Sequence, residues 1–118
     1  MSCLAISGLL ANYFQKPFSL LKLGCGDASF TTTAILDTLV ASYKGIDLSK
    51  PVLEIAASNM APIKCSQTFI LGDFSQSVPE LVKNQLLYFN AISISQLLLL
   101  DYVQLWLLAF KQNNQFSR

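Results

Sequence analysis

The chain has 118 residues, which is enough for one domain with its own core and too few for two. Hydrophobic residues make up 53% of it and charged residues 13%, so its polar surface must come from Ser, Thr, Asn and Gln. The formal net charge is +1 and no Lys/Arg cluster occurs, which argues against a nucleic-acid-binding patch. Three separated cysteines without any histidine argue against a zinc site, and their odd number fits free thiols in a reducing compartment, the cytoplasm.

The first part of the chain alternates between helical and strand patterns. A helix is predicted over residues 2–15, ending before Pro17, and a short apolar strand over Ser19–Leu23. A second helix is predicted over Ala28–Tyr43, with apolar residues near helical spacing, and a second strand over Lys44–Leu48. Polar residues interrupt the first apolar stretch, so a cleaved signal peptide is not expected.

The pattern continues through the second part of the chain. Ser49 is a suitable N-cap and Pro51 suits the first position of a helix, which is predicted to run to about Met60. The elements expected after it are a strand over Thr68–Leu71, a helix over Val78–Asn84, a strand over Leu87–Ile94 and a helix over Gln96–Phe110. The polar tail, residues 111–118, is expected to be frayed.

The stretch Leu86–Phe110 is apolar and long enough to cross a bilayer. It contains Asp101 near its centre, which costs about 2.5–3.5 kcal/mol on insertion scales. Further polar residues interrupt the stretch, so a soluble strand followed by a helix is favoured over a membrane span. The predicted last helix is apolar on all sides, which favours burial against the sheet or against another chain.

Strands that alternate with helices predict a parallel sheet in a single domain over residues 1–118. In open sheets of this kind, ligands bind at the carboxyl ends of the strands. Three motifs fall at such ends in this sequence.

The first motif is the turn Gly24–Ala28, which contains Cys25, Gly26 and Asp27. Its glycines permit a tight turn and a close approach of the backbone to a ligand. The dinucleotide-binding fingerprint requires another glycine where this chain has Ser29, and the Gly-Lys-Ser/Thr of a phosphate-binding loop is absent. By itself the turn is better explained as a plain connection between a strand and a helix.

The other two motifs are acidic. Asp47 ends the second predicted strand, where a carboxylate can accept both ribose hydroxyls, or can instead cap the next helix. Gly72-Asp73-Phe74 follows the third strand. There Asp73 can accept from an adenine amine and Phe74 can pack on the base, unless the segment is a simple turn. The three motifs together indicate a nucleoside site.

The segments Leu20–Ala28, Tyr43–Ser49 and Phe69–Phe74 resemble class I S-adenosylmethionine (SAM)-dependent methyltransferases, over roughly residues 19 to 100. The resemblance implies a Rossmann-like, three-layer α/β sandwich with a mainly parallel sheet in the order 3-2-1-4. It implies SAM as cofactor and methyl transfer to an acceptor that the sequence does not identify. The glycine turn would lie near the methionine part, Asp47 at the ribose, Leu48 beside adenine, Asp73 at the adenine amine and Phe74 on its ring. The cofactor-binding residues implied are Gly24, Cys25, Gly26, Asp47, Leu48, Asp73 and Phe74.

Two departures from this family matter most. Lys22 stands where the family has an acid, and a cation is electrostatically unfavourable near a sulfonium. The family's sheet continues with three further strands, so this chain is expected to be truncated after the fourth strand-helix unit. Its fourth strand would then be an open edge, and self-association through that edge and the last helix is expected.

These departures leave two hypotheses open. The chain either supplies the cofactor-binding half of a methyltransferase, or is a degenerate or truncated interaction module without turnover. A nucleotide-binding oxidoreductase fragment is disfavoured, because the third glycine of the fingerprint is missing.

Overall fold

The computed structural model of the chain describes residues 3–73, 84, 88–98 and 101–108. Three helices and five strands occur in this part. In chain order they are α1 (Cys3–Tyr13), β1 (Phe18–Leu23), α2 (Ser29–Ile35), β2 (Val40–Asp47), α3 (Lys50–Met60), β3 (Ser66–Leu71), β4 (Ala91–Leu98) and β5 (Asp101–Leu108).

The strands form one sheet in the order β3-β2-β1-β4-β5. The first four are mutually parallel, which confirms the predicted order 3-2-1-4, and β5 runs antiparallel to β4. Asn90 aligns β4 with β1, because its backbone N–H donates to Ser19 O and its Oδ1 accepts from Ser19 N, both at 2.9 Å.

The central strand β1 is buried on both faces. Successive side chains of a strand point to opposite faces, and Leu20, Leu21, Lys22 and Leu23 are all at most 2% exposed. This near-continuous burial is typical of a central parallel strand, and it places one charged residue, Lys22, inside the protein.

The helices pack against one another and against the sheet. α1 contacts α2, α2 contacts α3, and α3 lies against β2 and β3. The rings of Phe14 and Phe18 stack with centroids 4.4 Å apart where α1 leads into β1. The buried cluster comprises Ile6, Leu10, Phe14, Phe18, Leu20, Ala28, Ala34, Ile35, Val40, Tyr43, Ala56, Met60, Ile63 and Ala91.

The predicted start of α3 is confirmed. Ser49 is its N-cap, with Oγ accepting from Val52 N at 3.4 Å, and Pro51 lies in the first turn. The helix buries Leu53, Ala56 and Met60, which share one face at helical spacing.

The predicted second helix was too long. α2 ends at Ile35, and residues 40–43 belong to β2, where Val40 pairs with Phe18 and Tyr43 with Leu20. The consecutive threonines of α2 are poor helix formers. Extension of the helix through Tyr43 would take Val40 and Tyr43 away from the sheet, where both are buried.

The prediction of a last helix over Gln96–Phe110 is wrong. Residues 91–98 and 101–108 are antiparallel strands, with Leu98 opposite Asp101. Periodicity cannot distinguish short apolar strands from a buried helix, and pairing with β5 satisfies the backbone groups that β4 would otherwise leave unpaired. The expected open edge at the fourth strand is therefore covered, and self-association through that edge and a last helix loses its basis.

Within the apolar stretch Leu86–Phe110, which is long enough for a membrane span, the described residues are mainly β-strand. Among the described helices, none is long and apolar enough to cross a membrane. The predicted helix over Val78–Asn84, apart from Asn84, and the predicted frayed tail over 111–118 lie outside the described residues.

Candidate functional site

The glycine turn after β1 has the unusual backbone that its sequence predicts. Gly24 and Gly26 have φ values of 70° and 56°, a left-handed conformation that glycine adopts at little cost. Ala28 shares this conformation at φ 63°. The N–H groups of Gly24 and Cys25 both donate to Ile46 O, at 2.8 and 3.1 Å, so the turn is fixed to the end of β2.

Asp47 joins the ends of three neighbouring strands. Its Oδ2 accepts from Gly26 N at 3.0 Å, and its Oδ1 accepts from Ser49 N at 3.1 Å. Its backbone carbonyl accepts from Gly72 N at 2.9 Å. Because α3 is capped by Ser49, Asp47 is not the cap of that helix. A carboxylate has about four acceptor positions, so each Asp47 oxygen can still accept a hydroxyl.

Gly45 lets the glycine turn pack against β2. A Cβ atom at this position would lie 2.9 Å from Tyr43 Oη and 3.0 Å from Cys25 Sγ. The predicted strand Lys44–Leu48 includes Gly45 without assigning it a role. A glycine inside a buried strand was the available signal, since it often marks the close approach of another segment.

Cys25 has a structural role in this turn. It is 5% exposed, and burial, together with the negative charge of Asp47, raises the pKa of its thiol to about 11. A thiol with such a pKa remains protonated at neutral pH, and the thiolate is the nucleophilic form. Cys25 is therefore not an activated nucleophile.

A cavity of about 140 Å³ lies beside the turn. The residues that line it are Lys22, Cys25, Gly26, Asp27, Ala28, Ser29, Phe30 and Thr31. Lys22 is buried, and its Nζ donates to Ser93 Oγ at 2.8 Å. Burial disfavours the charged form and lowers the pKa of Lys22 to about 8, so the side chain is mostly protonated at pH 7.

Two other polar residues line this cavity, Thr31, which is buried, and Asp27, which is exposed. Thr31 is 1% exposed, and its Oγ1 has no hydrogen-bond partner in the described part of the chain. Asp27 is exposed and accepts from Ser29 N at 2.9 Å, and hydrogen bonds from Ser29 lower the pKa of its carboxyl. Sequence reasoning missed Thr31, because a threonine within a helix carries no signal of an orphaned buried hydroxyl.

The structure brings most of the predicted site residues to one edge of the sheet. The glycine turn, Asp47 and Gly72 are linked by the hydrogen bonds above. Leu48 follows Asp47 and is 65% exposed, and Asp73 follows Gly72 and is exposed. Phe74 lies outside the described residues.

Comparison with solved structures shows that the chain has the Rossmann-like fold of SAM-dependent methyltransferases. Such an enzyme from Thiobacillus denitrificans, crystallised with S-adenosylhomocysteine (SAH), matches with TM-score 0.56 and 18% identity, over 80% of this chain and 47% of that chain. The plantazolicin methyltransferase BpumL, also in complex with SAH, matches with TM-score 0.52 and 24% identity, over 80% of this chain and 46% of that chain.

The same fold also carries other chemistry. The cyclase SpnF matches with TM-score 0.56 and 14% identity, over 78% of this chain and 44% of that chain. The present chain thus spans about half the length of these structures. Neither protein-family models nor the sequences of curated proteins give a match to it. The similarity therefore defines the fold, while function has to be argued from the site.

Proposed function

We propose that this chain binds SAM at the carboxyl edge of its sheet and supplies the cofactor-binding half of a methyltransferase. The observation that carries the proposal is the placement of Asp47. Backbone N–H groups on both sides orient its carboxylate, one from the glycine turn and one from the start of α3. A carboxylate held in this way at a strand end is suited to accept the two hydroxyls of a ribose.

The neighbouring residues fit the other parts of a nucleoside. Leu48 presents an exposed apolar side chain next to Asp47, suited to the face of adenine. Asp73 would accept from the adenine amine and Phe74 would pack on its ring. The turn around Gly24, Cys25 and Gly26 would face the methionine part. Two of the similar methyltransferases were crystallised with SAH, which supports this choice of nucleoside.

Bound SAM would supply an activated methyl group for displacement by a nucleophile. The chain's own contribution would be positioning, which holds donor and acceptor in reactive geometry. The acceptor is not identified by any group at this edge. A reducing compartment such as the cytoplasm is consistent with the free thiols of Cys25 and Cys65.

Isothermal titration with SAH tests the proposal directly. The variant Asp47→Asn should bind SAH at least about tenfold more weakly, because hydrogen bonds to a charged group are worth about 1.5–3 kcal/mol. Asp37→Asn, an exposed acid after α2, is the matched control and should bind normally. Thermal unfolding of each variant shows whether the fold is retained. Absence of heat with millimolar SAH, or unchanged affinity in a folded Asp47→Asn protein, would overturn the proposal.

A second candidate is binding without turnover, as in a degenerate interaction module. The observation that favours it is Lys22, whose positive charge lies at the cavity where the first hypothesis places the methionine end. A buried cation opposes a sulfonium more strongly than an exposed one, because its field is less screened. Tight SAH binding, with no conversion of SAM to SAH when cell extract is offered as acceptor, would favour this candidate.

A further inference from the structure

The strand β3 lies at one edge of the sheet, and within the described residues its outer side pairs with no other strand. The N–H of Gly72, just after β3, donates to Asp47 O at the end of β2. In a parallel pair, every second residue of a strand directs its N–H and C=O groups to the same neighbour. The residues between them direct these groups to the open edge. These outward residues are Gln67, Phe69 and Leu71.

The sequence of β3 lacks the features that usually keep an edge strand apart from other strands. Natural edge strands are protected by charges, prolines or bulges. Residues 66–71 contain no charge and no proline, and their pairing with β2 runs without a shift of register. On the face of the sheet away from α3, Thr68 and Ile70 are both exposed, and both are β-branched. This edge is therefore suited to pair with a further strand.

The charges that flank β3 indicate which strand fits there. Lys64 precedes the strand and Asp73 follows it, and both residues are exposed. When two β3 strands pair in the antiparallel direction, the Lys64 end of each copy meets the Asp73 end of the other, which is favourable. In the parallel direction, equal charges would meet at both ends. These charges act whichever groups the two residues contact within their own chain. The strand is thus complementary to a second, antiparallel copy of itself.

We infer that two copies of this chain associate through β3, antiparallel about a two-fold axis at Phe69, so that the two sheets become one. This register pairs every outward backbone group of the strand, because Phe69 is the middle one of the three outward residues. Gln67 then lies opposite Leu71 of the partner subunit, and Thr68 lies opposite Ile70 of the partner subunit. The inference goes beyond the proposed function, since it involves no cofactor and does not depend on SAM binding.

Analytical ultracentrifugation over about 1 to 500 µM protein measures the association. The mass should rise with concentration from that of one chain to that of two and should then stay constant, because a two-fold contact is closed. A mass of one chain at every concentration would overturn the inference, and so would growth beyond two chains.

Charges introduced on the exposed face of β3 test the register. Thr68→Glu and Ile70→Lys should each weaken the association about tenfold or more, because each places a charge at the paired edge. The double variant should recover most of this loss, since the two introduced charges then lie opposite each other. The glutamate is also compatible with the single chain, because Lys44 on β2 is in register with Thr68.

The matched controls carry the same substitutions at exposed helix positions. Thr33→Glu on α2 and Ile55→Lys on α3 should associate like the unaltered chain. Thermal unfolding at the lowest concentration shows which variants fold, and either single variant suffices if the other does not. Normal association of a folded Thr68→Glu or Ile70→Lys protein would overturn the inference. A folded double variant that associates no better than the single variants would also overturn it. Titration with SAH is a separate measurement, so the proposed function can fail while this inference stands.

Discussion

The buried charge of Lys22 should make the protein less stable at neutral pH than a variant without it. At about 1.4 kcal/mol for each tenfold change in the proton equilibrium, the fall of its pKa from 10.5 to about 8 means that the folded state holds this charge at a cost of about 3 kcal/mol. Lys22→Met removes that cost with a side chain of similar length. It also removes the hydrogen bond to Ser93 Oγ, worth about 1 kcal/mol. We expect a net stabilisation of about 2 kcal/mol at pH 7.

The same burial predicts how stability changes with pH. Below about pH 8 the lysine is protonated in both the folded and the unfolded chain, so the cost is fully present. Between pH 8 and 10.5 the folded state releases this proton first, so the contribution of Lys22 to the free energy of unfolding rises, by roughly 1 kcal/mol at pH 9. The raised pKa values of Cys25, Cys65 and Tyr43 act in the opposite direction, from about pH 9 for the cysteines and about pH 10 for the tyrosine, because the unfolded chain loses these protons first.

Urea unfolding followed by circular dichroism at pH 6, 7, 8 and 9 measures both effects. The difference between the pH profiles of the unaltered chain and Lys22→Met isolates Lys22 from the cysteines and Tyr43. Lys16→Met, which changes an exposed lysine, is the matched control and should follow the unaltered profile. The reasoning is refuted if Lys22→Met is less stable than the unaltered chain at pH 7, or if the two profiles run parallel from pH 7 to 9.

Two further predictions concern the packing of the glycine turn. Gly45→Ala should destabilise the protein by about 1–3 kcal/mol, because the added Cβ meets Tyr43 Oη and Cys25 Sγ. In urea unfolding, the double variant Gly45→Ala with Cys25→Ala should recover part of this lost stability. Gly8→Ala is the control and should not destabilise the protein, because the added atom meets open space. Equal losses of stability in all three variants would contradict the proposed clash. Iodoacetamide at pH 8 should leave Cys25 unmodified in the folded chain and react with it in urea, because burial raises the pKa of this thiol to about 11. Rapid labelling of Cys25 without denaturant, read by mass spectrometry of its peptide, would show that the turn is open.

Much of the sheet could be predicted because its signals are local. Apolar runs stopped by Gly24, Asp47 and Gly72 mark the ends of three strands, and Ser49 with Pro51 marks the start of α3. The ends of these three strands lie close together because of one general rule: neighbouring parallel strands end at the same edge of a sheet. For this reason the glycine turn and Asp47 were predicted as neighbours, and a hydrogen bond joins them.

The sequence by itself therefore determined where the first three strands end and the edge at which the candidate site forms, whereas the order of the four parallel strands was implied by the resemblance to methyltransferases. The tertiary structure decided where α2 ends, because Val40 and Tyr43 are buried only as part of β2. It decided that residues 101–108 pair with β4, since an apolar stretch without clear periodicity fits a strand as well as a helix. It also decided the surroundings of Lys22. In the sequence, Lys22 is simply a charged residue in an apolar strand. Only the packing of β1, β4 and the glycine turn shows that it is a buried cation lining a cavity.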